Sequence, residues 1–426
     1  MPHVRNLVYL LLLILLSPWL VINAITKGKY RQGLSEKLLG LVPRLPASGV
    51  DSSKRRLWMH AVSVGEVNLL QPVLQELEQR YPDWECVIST TTKTGYELAR
   101  QKYSPRTVFY CPLDFSWAVK TALRRIQPDL FVLVELELWP NLIHYASKHC
   151  PVTIINGRLS ENSTKGYKRL GLLLKPTLRK LKHLAVQNKQ YADRFLELGV
   201  KDEQMTVTGS IKFDGAETNR KNPKTRELRQ LAGISDDDTV LLVGSSQVEE
   251  EELCLKYFKT HMDKFPSLKL ILVPRHPERF DEVAQMCRQI EIPFIRRSQM
   301  TSGDHTNTRL LLIDVIGELG AWWGLTDIAF VGGSLGSRGG QNMIEPAAYG
   351  AAVSFGPNTW NFKDIVELIL HHKAARVIHS DEQFSEFVRW CIESPEAAAA
   401  MGQTAAELVA NQQGATRRTV DILSYL

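Results

Sequence analysis

The stretch 57–70, LWMHAVSVGEVNLL, decides how the rest of the chain is read. Its first half is short, apolar and rich in valine, the composition of a buried strand, and Gly65 follows as a breaker. From Asn68 to Leu77 apolar residues recur at helical spacing, so a strand passes into a helix with Glu66 in the turn between them. In an open α/β sheet that turn faces the crevice at the carboxyl ends of the strands, where ligands bind. Glu66 therefore has two readings. It caps the helix with its carboxylate on free N–H groups, or it is a base exposed to a ligand.

Outward from this unit, strands and helices alternate. ECVISTTT (85–92), TVFYC (107–111), DLFVLVELE (129–137), PVTIIN (151–156) and HLAVQN (183–188) read as strands with helical stretches between them. The polar, basic segment 208–229 makes a hinge, and a second alternation follows: TVLLVGSSQ (239–247), LKLILVPRHP (268–277), RLLLIDVIGE (309–318), DIAFVGGSL (327–335), AAVSFGP (351–357) and ARVIHS (375–380). Such alternation means parallel sheets with helices on both faces. The expected fold class is α/β: two Rossmann-like, doubly wound domains with a cleft between them. Their bounds are 28–217 and 218–426, with the last helix a candidate to pack back on the first domain.

The chain of 426 residues is 44% hydrophobic and 23% charged, an ordinary globular composition, and its net charge of +6 favours anionic partners. Six scattered cysteines without a C-x-x-C pair fit core thiols in a reducing compartment. Residues 7–25, LVYLLLLILLSPWLVINAI, are long enough to cross a bilayer, broken only by Ser17, Pro18 and Asn23. Arg5 precedes them, while Lys27, Lys29, Arg31 and Lys37 follow. Residues 1–27 are thus expected to be a single transmembrane anchor. The excess of cations after it puts the N-terminus outside and the domains on the cytoplasmic face. A linker (41–56) leads into the first domain.

Several strand ends carry polar groups. In 327–350, DIAFVGGSLGSRGGQNMIEPAAYG, a strand runs into Gly332 and Gly333, and a glycine-rich loop (Gly336, Gly339, Gly340) precedes a helix beginning near Asn342. Such a loop suits a phosphate at a helix N-terminus, and Glu345 suits ribose hydroxyls; alternatively it is a tight turn that binds nothing. The G-x-G-x-x-G and Walker spacings are absent. Arg275 and His276 end an apolar strand between two prolines, as anion ligands or as a surface pair with Glu278. Lys212, Ser245 and Ser246 end strands similarly. Glu135 and Glu137, two apart in a strand, share one face, where they raise one another's pKa or orient Arg158. Arg158, Lys165, Lys168 and Arg169 begin a cationic run that meets anionic lipid or phosphosugar, or forms a solvated helix face. No metal-ligand spacing occurs, and neither metal nor cofactor is expected.

These motifs resemble the bacterial Kdo transferases, which add 3-deoxy-D-manno-octulosonic acid to lipid A precursors. The resemblance rests on HAVSVGE (60–66), TTTKTGYELA (90–99), ELELWPNL (135–142), NGRLSENSTKGY (156–167), TGSIKFD (208–214), PRHPERF (274–280), 317–335 and 339–362. It implies a GT-B fold and inverting transfer from CMP-Kdo. Glu66 matches the family's base, and Glu135 and Glu137 its second acidic pair. Arg275 and His276 match cations at the CMP phosphate and Glu345 the acid at the ribose. Gly332, Gly333, Ser334, Gly340, Asn342 and Asn361 fall in nucleotide-side motifs. Acceptor contacts are expected from His60, Ser63, Arg158, Lys165, Lys168 and Arg169. Implied partners are CMP-Kdo, a lipid A precursor and membrane phospholipid, with no nucleic acid. Gln341 stands where the family generally has histidine, and Gly157 where it often has alanine. Two alternatives are a GT-B enzyme using a UDP-sugar on a lipid-linked acceptor, and a membrane-tethered binding protein without catalysis.

Overall fold

The structure, a computed structural model, describes residues 2–27, 31–46, 54–169, 171–301, 305 and 307–426, without the side chains of Pro2, Leu20, Ala24, Lys27, Leu172 and Leu173. Lys29 and residues 47–53 of the expected linker lie outside the described residues.

β1 (Arg56–His60) is buried along its whole length. Successive side chains alternate between the faces of a strand, and here both faces are covered. Leu57 and Met59 pack in one core with Val67, Leu70 and Val420, while Trp58 packs in another with Phe109, Phe131 and Val119. β1 lies between β2 (Glu85–Thr90) and β4 (Leu130–Val134), parallel to both. With β3 (Val108–Tyr110), β5 (Val152–Gly157), β6 (His183–Val186) and β7 (Met205–Val207), the order is β3-β2-β1-β4-β5-β6-β7. The strand order reverses between β1 and β4, which opens a crevice at their carboxyl ends.

A second seven-stranded sheet is formed by β8 (Thr239–Ser246), β9 (Leu268–Pro274), β10 (Phe294–Arg296), β11 (Leu310–Leu312), β12 (Ile328–Val331), β13 (Ala352–Phe355) and β14 (Ala375–Val377), in the order β10-β11-β9-β8-β12-β13-β14. Its reversal falls between β8 and β12. β7 and β10, short and less than fully buried, were not readable as strands. Two compact units result, 1–215 with 412–426, and 216–411. The helix Ala415–Tyr425 belongs to the first unit, where Asp214 accepts the Gly414 N–H at 2.6 Å and Arg80 pairs with Asp421 at 2.7 Å. All six cysteines are free and buried.

The N-terminal segment is one helix, α1 (Pro2–Lys27). Among the described residues no helix is long and apolar enough to cross a membrane, which corrects the expected transmembrane span. The physical reason lies in what α1 holds at each end. Its first turns are tied to the first unit: Arg5 donates to the Pro140 carbonyl, Asn6 bonds Ser116, and the Tyr9 hydroxyl donates to Asp114. Shortly after its other end, Gln32 accepts the Tyr110 hydroxyl of the same unit. Between them Ser17, Pro18 and Asn23 interrupt the apolar run.

Candidate functional site

The turn after β1 differs from its sequence reading in one respect. Gly65 does not break the helix: α3 runs Val64–Arg80 with Ser63 as N-cap, so Glu66 is its third residue. The carboxylate turns back to the loop. Oε2 accepts the Val62 N–H at 2.8 Å and Oε1 the Ser63 hydroxyl at 3.1 Å. Only 9% of Glu66 is exposed. Burial pushes its pKa up to about 7, against the Val62 hydrogen bond, and the charges of Glu135 and Glu137 push the same way. It is a capping carboxylate and a group poised near neutrality at once.

The acidic pair lies in a loop, not in a strand. β4 ends at Val134, and Glu135 takes a left-handed φ of 58°, held by its N–H to the Ile155 carbonyl. The alternation expected for two residues of one strand is therefore broken. Glu135 lies 2.8 Å from Arg158 Nε and 3.6 Å from Lys212 Nζ, so it orients cations. Glu137 accepts the Trp139 indole N–H at 2.9 Å, and burial with the Glu135 charge raises its pKa. Lys212, expected beside the donor, belongs to this first unit.

Asp114 carries no sequence signature, yet it fixes the end of this loop. Its two oxygens accept the N–H groups of Asn141 and Leu142 at 2.9 and 2.7 Å, and burial lifts its pKa to about 6. Only the aspartate before an aromatic helix start (113–117) could have hinted at it.

The acceptor-side candidates divide by burial. His60 is fully buried, on the Trp58 face of β1, with Nδ1 2.9 Å from Ser89 Oγ and its pKa pushed down to about 4. It is a neutral core histidine, not an acceptor contact. Lys165 and Lys168 pair with Glu161 and Glu197 at 2.7 Å while remaining more than half exposed, the solvated-face arrangement, and Arg169 is exposed beyond them.

In the second unit the turn after β8 mirrors the turn after β1. Gln247 caps the helix Val248–His261, and Glu250 is its third residue. Glu250 is 1% exposed. Its carboxylate accepts the N–H groups of Gln247 (2.9 Å), Gly333 (2.8 Å), Ser334 (2.9 Å) and Leu335 (3.1 Å). The amides of Gly333 and Ser334, residues expected on the nucleotide side, thus already meet an internal carboxylate. Gly332 has no room for a side chain, since a Cβ there would stand 2.6 Å from the Ser245 carbonyl and 2.7 Å from Glu250. Ser334 donates to the Val331 carbonyl. Ser246 is fully buried and donates to Glu251, whose carboxylate Arg279 clasps at 2.7 and 3.1 Å. Gly332, Gly333, Ser334, Ser245 (8% exposed) and Ser246 are thus framework, not open ligand contacts. The capping spacing Gln247-x-x-Glu250 was the available signal for Glu250, masked by its run of four glutamates.

What stays accessible is smaller. Arg275 is exposed at the end of β9, and His276 lies 3.6 Å from Glu278. The helix expected from Asn342 is only Ile344–Ala348, too short for an N-terminal anion site. Asn342 caps it by accepting the Ile344 N–H and donates to Glu345, whose pKa burial raises. Gln341 lies against Gly333, and Asn361 donates to the Arg338 carbonyl, beside Gly339 and the half-exposed Trp360. Gly340 takes a φ of 80°, which favours glycine.

Comparison with known proteins follows this geometry. Residues 32–215 match a family model described as 3-deoxy-D-manno-octulosonic-acid transferase (kdotransferase). A 3-deoxy-D-manno-octulosonic acid transferase of Haemophilus influenzae is 32% identical over 406 residues, covering 94% of this chain and 92% of that one. One from Chlamydophila psittaci is 30% identical over 94% of this chain and 91% of its own. The UDP-GlcNAc 2-epimerase structure from Neisseria meningitidis shares the fold, with a TM-score of 0.57 over 88% of this chain and 100% of that one, at 13% identity.

Proposed function

The chain belongs to the 3-deoxy-D-manno-octulosonic acid (Kdo) transferase family and is a glycosyltransferase with a GT-B-like fold; on that premise we propose that Glu66 is the general base for transfer of Kdo from CMP-Kdo to a lipid A precursor. The observation that carries this role is a carboxyl group poised near pH 7 at the carboxyl end of β1. An inverting transfer needs a base to take the proton of the attacking hydroxyl as its oxygen meets the anomeric carbon, and a base titrating near the working pH does this best. Burial keeps Glu66 basic, and the charges of Glu135 and the half-buried Glu137 push the same way. Arg158 and Lys212, already drawn to Glu135, supply positive charge for the carboxylate of Kdo or an acceptor phosphate.

On the donor side, Arg275 and His276 stabilise the phosphate of departing CMP, and Glu345 accepts ribose hydroxyls. The rigid glycine loop sets the surface on which the nucleotide lies. Membrane phospholipid is the second partner: α1 exposes Leu11, Leu15, Ile22 and Ile25, with Leu34, Leu39 and Trp117 nearby on the same unit. An apolar helix tied to its domain lies in the bilayer interface, beside a lipid acceptor. We place the protein on the cytoplasmic face of the inner membrane in this way.

The test is transfer by the purified full chain from CMP-Kdo, generated in situ, to a tetra-acylated lipid A precursor, read by mass spectrometry with UDP-sugars as competitors. Stepwise gains of Kdo mass are expected. Consumption of a UDP-sugar instead would overturn the donor.

A further inference from the structure

The cations at Glu135 come from separate loops. Arg158 follows β5, and Lys212 lies in the short helix Ile211–Phe213 beyond β7. Asn156, the first residue of the motif NGRLS, is fully buried at the end of β5. Ile154 pairs with Leu184 and Gly157 with Val186, so between those pairs β5 carries one residue more than β6, a bulge. Asn156 takes up the irregularity with a left-handed φ of 52°, a conformation that asparagine tolerates better than most residues. Such bulges bend a strand and re-aim the side chains at its end.

The polar contacts of Asn156 lead to neighbouring strand ends. Its side-chain oxygen accepts the Ile211 N–H at 3.0 Å, one residue before Lys212. Its carbonyl accepts the side-chain amide of Gln187, just past β6, at 3.0 Å. Ile155, directly before it, accepts the Glu135 N–H at 2.9 Å, and Arg158 stands two residues after it. The side-chain NH₂ of Asn156 meets no partner among the described residues. The Ile211 N–H therefore fixes which way the amide points, since a flipped amide would set donor against donor. A buried amide with an unmet NH₂ costs stability, so packing alone does not account for it.

We propose that Asn156 is a positioning residue for the transfer, setting Arg158 and Lys212 at Glu135; this rests on the reading of the chain as a Kdo transferase whose two cations meet an anionic substrate group. Arg158 Nε lies 2.8 Å from Oε2 of Glu135 and Lys212 Nζ 3.6 Å from Oε1, so each cation holds its own oxygen of one carboxylate. The spacing of the two charges is kept only while their loops keep register. Asn156 ties that register through its side chain to the Lys212 loop, and through its backbone to the end of β6. Its place in β5 sets the turn that carries Arg158. Both cations stay partly exposed and able to meet a ligand, whereas Asn156 itself is sealed from one.

The experiment is a double-mutant cycle on the full chain, with kcat/KM for Kdo transfer measured in wild type, Asn156→Gly, Lys212→Ala and the double variant. Glycine keeps the left-handed backbone and removes only the amide. Asn156→Gly should lower kcat/KM about thirtyfold, within the roughly 10²-fold that a misplacement of about 1 Å can cost. Lys212→Ala should lower it about a hundredfold, as the loss of a charge at the reacting groups does. The double variant should stay within about fivefold of Lys212→Ala, because Asn156 then has little left to position. Calorimetric binding of CMP, which the reading places on the second unit, should stay within about twofold, as for a distant, independent site. Gln187→Ala, at a half-buried residue, loosens Asn156 through its carbonyl and carries the test if Asn156→Gly folds poorly. It should lower kcat/KM about threefold in wild type and leave Lys212→Ala unchanged. Losses that multiply in the double variants, a parallel loss of CMP binding, or full activity in Lys212→Ala or in both Asn156→Gly and Gln187→Ala would overturn the proposal while leaving the transferase reading intact. Absence of Kdo transfer by the wild-type chain would instead overturn that underlying reading, and this one with it.

Discussion

Glu66 and Glu250 occupy the same place in two sheets, the third residue of the helix that follows the first strand, and they have opposite fates. Glu66 keeps two hydrogen bonds and faces a loop from β4 that brings Glu135 and Glu137. Glu250 faces a loop from β12 that brings three backbone N–H groups, and with Gln247 it accepts four. Burial with like charges nearby leaves the first carboxylate reactive, whereas four backbone N–H groups turn the second into a strut. The loop from the neighbouring strand decides which, by reading ELELW in one unit and GGSL in the other.

The largest expected effect follows from this asymmetry. Glu66→Gln should lower kcat by about 10²- to 10⁴-fold, the usual contribution of a general base, with the CMP-Kdo KM little changed. Near-normal turnover in that variant would remove the catalytic half of the comparison. Glu250→Ala should instead destabilise the fold by about 3–9 kcal/mol, because three loop amides lose a buried acceptor at about 1–3 kcal/mol each. Thermal unfolding together with calorimetric binding of CMP reads the two consequences. Glu250→Gln should rescue only part, since its NH₂ would face donors on whichever side it points.

The same substitution at Glu66 should have the reverse effect on stability. The folded pKa of about 7 lies above the ordinary carboxylate value of 4.5, so the unfolded chain ionises first as pH rises. Between those values the unfolded state binds fewer protons, and stability falls with pH by up to about 3 kcal/mol. Glu66→Gln should thus gain about 1–3 kcal/mol over wild type at pH 8 and nothing below pH 4. Equal pH dependence of urea midpoints in the two proteins would show that Glu66 is not held near neutrality by the fold.

How much of this was legible divides along the same line. The periodicity around 57–70 carried the α/β class, and strand ends marked the turns where both carboxylates lie. What patterning could not carry was pairing. A buried Glu250 and a solvated glutamate look alike inside VEEEE, and glycines that bind phosphate look like glycines that bind a carboxylate. His60 was expected to contact the acceptor, but it shares the Trp58 face of β1, which is covered by the core. Glu135 escaped a strand reading through one left-handed residue that no composition rule demands of a glutamate. α1 was read from apolar length and flanking charge, whereas its first turns are tied by Arg5, Asn6 and Tyr9.

The smallest expected effect is on the cationic helix. Lys165→Ala and Lys168→Ala should each change stability by less than about 0.5 kcal/mol, as exposed ion pairs do. A change in acceptor KM would be the sign that these lysines leave Glu161 and Glu197 for a ligand.

The central claim is that burial, with the charges of Glu135 and Glu137 pushing the same way, keeps Glu66 basic, and the pH dependence of kcat/KM tests it most directly. Wild-type activity should rise tenfold per pH unit and level off near pH 7, and in Glu137→Gln the midpoint should move toward acid. A profile flat from pH 5.5 to 8.5, or a midpoint that Glu137→Gln does not move, would contradict it.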